Sequence, residues 1–89
     1  STKHRFRDKY RIQLREKDHL PPHVHLTGGG LDVLIGLQPV EPMLGHAPAA
    51  VLKEALEWVQ AHQTELLEEW QDGIHEATTS QIGPGAEGA

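Results

Sequence analysis

The 89-residue chain contains no cysteine, which excludes disulfides, thiolate nucleophiles and every cysteine-based zinc site. Aromatic residues are scarce, with one Phe, one Tyr and two Trp, so nucleic-acid bases have little to stack on. No apolar run approaches the roughly 20 residues that span a membrane, and no signal-peptide pattern is visible, so a cytoplasmic protein is expected. Positive charge is missing from most of the chain. Seven of the eight Lys and Arg residues lie at or before Lys17, and Lys53 alone follows, against eleven Asp and Glu. The net charge of -5 therefore hides a bipolar molecule with a basic N-terminal part and an acidic remainder. Such asymmetry suits a nucleic-acid contact or a complementary protein surface, a second copy of the chain included. So short a chain buries a modest fraction of its surface, which also favours an interface with a partner or a homodimer.

What is present reads first as strands. From Arg5 to Arg15, Phe6, Tyr10, Ile12 and Leu14 share one parity, while Arg5, Arg7, Lys9, Arg11, Gln13 and Arg15 share the other. That is the period of a half-buried strand with a basic face, regular from about Lys9 because Asp8 interrupts the apolar side. His23 to Thr27 reads as a second strand, Gly28-Gly29-Gly30 as a hairpin loop, Leu31 to Leu37 as a third strand and Val40 to Leu44 as a further extended piece. The glycine run lacks a following Lys-Ser/Thr and opens no helix, so it is not a phosphate loop.

A long helix follows. Pro48 suits a first helical position, and Leu52, Leu56 or Ala55, Val59, Leu66 and Trp70 recur at helical spacing, with Gly73 placed as the stop. Glu54, Glu57, Glu65, Glu68, Glu69 and Asp72 fall on the other side. The expected architecture is a single α+β domain over 1–73, a three- or four-stranded antiparallel β-meander with one long C-terminal helix packed on it. Residues 74–89, rich in Gly, Ser, Thr and Ala, read as a disordered tail.

The chemistry concentrates in Asp18-His19-Leu20-Pro21-Pro22-His23-Val24-His25. Histidine exchanges protons near neutral pH and is the commonest metal ligand. The two prolines stiffen the approach, and His23 and His25, two apart on a strand, share a face. A helix laid across the sheet would carry His62 toward them. His23, His25 and His62, completed or oriented by His19, Asp18 or Glu65, are then a candidate site for a zinc-like divalent metal. Without metal, the same three histidines are candidate catalytic groups, general base and general acid for cleaving a phosphodiester, with Arg5, Arg7, Lys9 and Arg11 holding the substrate's phosphates. The plainer alternative makes these structural histidines bonded to backbone carbonyls, and the basic strand a partner-binding or solvated face. Trp58 and Trp70 read as core residues, and His4, His46 and His75 as positions with no specific role.

Arg5-Phe6-Arg7-Asp8-Lys9-Tyr10-Arg11-Ile12, the Pro21-Pro22-His23-Val24-His25 motif, Leu56-Glu57-Trp58 and His62 through Leu66-Leu67-Glu68-Glu69-Trp70 occur in order. Over Arg5 to Trp70 the chain resembles the small bacterial proteins of domain-of-unknown-function family 4160. The resemblance implies a stand-alone prokaryotic domain, often encoded beside another small protein in an arrangement reminiscent of toxin–antitoxin cassettes. It also makes His23, His25, Trp58, His62 and Trp70 matches to characteristic family positions. Ala47 departs from the better helix cap expected there. Two readings of function follow: a component that binds a small protein partner encoded nearby, with a histidine-centred site, or a small hydrolase or ribonuclease acting on RNA phosphodiesters.

Overall fold

A computed structural model describes residues 2–15 and 21–82, with backbone alone described over 73–82. Five strands, β1 (Thr2–Phe6), β2 (Tyr10–Gln13), β3 (His23–Gly28), β4 (Leu31–Leu37) and β5 (Val40–Leu44), precede two helices, α1 (Ala49–Ala61) and α2 (Gln63–Ile82). The strands form one sheet in the order β1-β2-β3-β4-β5, each neighbour antiparallel to the last. The α+β class and the meander are as the alternation implied. The sheet has five strands where three or four were expected, and two helices stand in place of one.

The fifth strand comes from the N-terminus. Arg7 and Asp8 have φ of 55° and 52°, the sign that a type I′ hairpin turn requires at both central residues. They fold the presumed single strand back on itself, so that Phe6 pairs with Tyr10, Arg5 with Arg11 and His4 with Ile12. A hairpin of this register keeps Phe6, Tyr10 and Ile12 on one face, as a continuous strand would, which is why alternation alone could not reveal it.

The helical expectation changes at two points. His62, with φ -115° and ψ 16°, separates α1 from α2. Its ring Nδ1–H donates to the Trp58 carbonyl at 2.8 Å, while its backbone N–H is shared between Trp58 and Val59 at 3.1 Å each. The crowding of donors on one carbonyl loosens that turn. Beyond it, the backbone stays helical through Gly73, where a stop was expected, to Ile82; residues 83–89 lie outside the described residues. Pro48 is the N-cap of α1 rather than its first helical residue, with no side-chain cap bond.

The helices pack on one face only. Phe6, Tyr10, Ile12, Leu14, Val24, Leu26, Val33, Ile35 and Leu37 of the sheet region are buried against Val51, Ala55, Val59, Leu66 and Trp70. The buried stripe thus runs through Val51 and Ala55, while Leu52 and Leu56 lie on its flank, partly buried. Gln63 fixes the start of α2 by donating from Nε2 to the Leu37 carbonyl at 2.7 Å.

Candidate functional site

Alternation decides which side chains remain available. Since Val24 and Leu26 face the helices, His23, His25 and Thr27 face the other side of the sheet. Register then builds a surface from the residues upward. Arg5 lies beside Arg11, Arg11 beside Thr27 and Thr27 beside Asp32; in the next row Gln13 lies beside His25, and His25 beside Leu34. On β5, Met43 approaches where a Gly36 side chain would be, and Leu44 pairs with Leu34. Trp70 of α2 reaches this face at its His23 end. Among the described residues, the exposed large hydrophobics are Met43 at 44% and Leu44 at 67%, both on β5.

His23 opens β3. Its Nδ1–H donates to the Pro21 carbonyl at 2.8 Å, which places the ring's basic lone pair on Nε2. The ring meets His25 edge-on at 5.1 Å and lies 5.2 Å from Trp70 of α2 at a 55° tilt. Pro22 accepts from the Leu37 N–H at 3.0 Å, so the Pro-Pro segment is tied to the end of β4. His25 is 12% exposed, with Nδ1 3.8 Å from an oxygen of the largely exposed Asp32. That is an ion pair only when the imidazole is protonated, and a weak one at such exposure.

His62 does not join them. It stacks on Trp58 at 4.1 Å and 18°, Trp58 stacks on His4 at 4.8 Å and 8°, and His4 stacks on Phe6 at 5.7 Å and 13°. These four rings form a column between β1 and the helices. The inference that a helix across the sheet would deliver His62 to the strand histidines fails at a definite point: α2 reaches His23 through Trp70, two turns beyond His62, whose own ring lies on Trp58. Among the described residues no three His, Asp or Glu side chains group so as to hold a metal ion. The three-histidine centre expected from His23, His25 and His62 is therefore not assembled, and the proposed helpers His19 and Asp18 lie outside the described residues. His4, set aside at first, proves to be an integral packing residue; its parity with Phe6 was the available signal.

The basic strand divides as well. Lys3 pairs with Glu69 of α2, and Arg7 donates to Glu54 of α1 at 2.8 Å. Lys9 sits 5.6 Å over the Tyr10 ring. Arg5 and Arg11 have no ion-pair partner among the described residues. Only Arg5 and Arg11 of the four expected partner-binding cations thus lie unpaired on the open face.

The sequence from residue 10 to residue 71 matches the family described as Domain of unknown function (DUF4160). The chain belongs to the DUF4160 family. The matched segment begins at β2, takes in the His23–His25 strand, and ends one residue after Trp70, so both partners of the His23–Trp70 contact fall within the DUF4160 domain. The β1 strand and the C-terminal turns of α2 flank it. No curated protein and no solved structure matches the chain. No helix among the described residues is long and apolar enough to cross a membrane.

Proposed function

We propose that this DUF4160 chain is a small bacterial, cytoplasmic binding component of a two-gene cassette of toxin–antitoxin type, and that it engages its protein partner through the open sheet face around His23 and His25. The observation that carries this reading is the layering. The helices bury one side of a five-stranded sheet, and its other side carries Leu34, Met43 and Leu44 at one end with Arg5 and Arg11 at the other.

The sheet edges support a face-on contact over strand addition. β1 carries an irregularity between Thr2 and His4, and β5 is interrupted by a register shift and by Pro42, which has no N–H to offer. Both edges are blunted, so the face is the larger accessible surface. A partner suited to it presents apolar side chains to the exposed Met43 and Leu44 of β5.

The test is co-purification of the tagged chain with the product of the adjacent gene, with hydrogen exchange mapping the contact. Protection of β4 and β5, and loss of the complex in a Met43→Asp, Leu44→Asp variant, are expected. A complex that protects only the outward side of α1 and α2 would refute the reading. A second reading rests on the edge-on imidazoles 5.1 Å apart, which could divide general-base and general-acid work on a phosphodiester. It requires RNA cleavage by the purified chain that His23→Gln and His25→Gln each abolish.

A further inference from the structure

The β1–β2 hairpin places like charges against each other without an evident structural return. Arg5 and Arg11 are direct cross-strand partners, an arrangement that destabilises a sheet unless something neutralises it. Arg7 and Asp8 at the tip both adopt left-handed backbone, which Asp tolerates but which a long side chain such as Arg7 seldom adopts. Strain and repulsion held together in one short segment are a common mark of a binding site. A cavity of about 350 Å³ lies there, lined by the seven residues from Arg5 to Arg11. Four cations and one carboxylate line it; Arg7 is paired with Glu54 and Lys9 lies over the Tyr10 ring, while Arg5 and Arg11 have no ion-pair partner among the described residues.

We infer that this hairpin binds the phosphate backbone of a single-stranded nucleic acid, with Arg5 and Arg11 as the primary contacts and Lys9 and Arg7 flanking them. Arg5 and Arg11 face each other across the strand pair, with Cβ atoms about 4.5–5.5 Å apart, and Arg7 and Lys9 continue the charge around the turn, so the cations follow the hairpin, as a chain of phosphates can, rather than gathering at a point as for one carboxylate. The guanidinium fork of each Arg meets phosphate oxygens in pairs. Phe6 and Tyr10, the aromatic residues of the hairpin, are buried beneath it at 7% and 9% exposure and offer no ring to a base. Binding is therefore through the backbone and indifferent to sequence. The exposed carboxylates of Glu57, Glu65, Glu68, Glu69 and Asp72 on the helices repel the same ligand and confine it to the hairpin end. This goes beyond the protein-partner reading, which draws on the apolar end of the face.

The experiment is fluorescence anisotropy of a labelled 12-nucleotide oligouridine against the full chain, from low to physiological salt. Three phosphates neutralised on a single strand give a slope of log K against log salt near about -2. Arg5→Gln with Arg11→Gln is expected to weaken binding at least about tenfold at low salt and to bring the slope toward about -0.7. The melting temperature of that variant should hold or rise, because the opposed charges are gone. Absence of binding at low salt, or binding unchanged in the variant, overturns the proposal. So does competition by polyglutamate of matched length as effective as unlabelled oligouridine, which would assign the cations to an acidic protein surface. If the double variant does not fold, the wild-type slope and the polyglutamate competition still decide. A failure here leaves the Met43 and Leu44 test of protein docking untouched.

Discussion

Replacing His23 by Ala separates a packing role for this imidazole from a purely chemical one. The substitution deletes the hydrogen bond to the Pro21 carbonyl, worth about 0.5–1.5 kcal/mol net. It also deletes ring contacts with His25 and Trp70, each worth about 0.5–1.5 kcal/mol for a well-formed aromatic pair. His23 is partly exposed and these terms overlap, so the lower part of the summed range applies, about 2 kcal/mol. For a domain of this size each kcal/mol lowers the melting temperature by about 4–8 °C, giving an expected drop of about 8–16 °C. Differential scanning calorimetry at fixed pH and protein concentration measures it. His25→Ala loses the same ring contact and a weak pair with an exposed Asp32, and should lower the melting temperature as well. A His23→Ala protein that melts within about 2 °C of wild type would refute the packing argument. The imidazole's reason for being there would then have to be chemical.

Other outcomes follow from the same geometry. His4→Ala unstacks two ring contacts and should cost about 1–2 kcal/mol in urea denaturation, with a changed near-ultraviolet circular dichroism signal from Trp58. Gly28→Ala would place a Cβ 2.1 Å from the Lys9 carbonyl oxygen at a φ of 114°, and should cost more than about 3 kcal/mol. Gly30→Ala, at φ 82° but facing open space, should cost only about 1–2 kcal/mol; equal losses at the two glycines would show the hairpin contact to be unimportant. Met43→Asp with Leu44→Asp should change the stability of the isolated chain by no more than about 0.5 kcal/mol while abolishing partner capture, since both side chains are exposed.

The sequence was most readable where one side chain pattern had one structural meaning. Val24 and Leu26 alternating with His23 and His25 placed the imidazoles together on one face, and Gly28 to Gly30 marked the hairpin to β4. Reading failed where two folds share a pattern. The register Phe6↔Tyr10 preserves parity through a turn that opens on Arg7, a residue that does not advertise left-handed backbone. The helix stripe was found with Ala55 as an alternative to Leu56, but Leu52 was preferred to Val51 for its size, whereas Val51 and Ala55 are the buried pair. The histidine site was half legible. Period two joins His23 to His25, but which helix residue meets them depends on how the helices lie, and there Trp70 takes the place beside His23 while His62 lies on Trp58. The ring column involves residues 4, 6, 58 and 62, which only the tertiary fold brings together.

That column gives the molecule two separate optical channels. Trp58 is sandwiched between the imidazoles of His4 and His62, while Trp70 touches His23 at the end of β3. Each indole therefore senses a different histidine environment. With Trp70→Phe the remaining emission follows events at β1 and the α1–α2 joint; with Trp58→Phe it follows the His23 strand. A ligand seated on the hairpin and a protein seated on the open face would then be told apart in a cuvette, without a label on either.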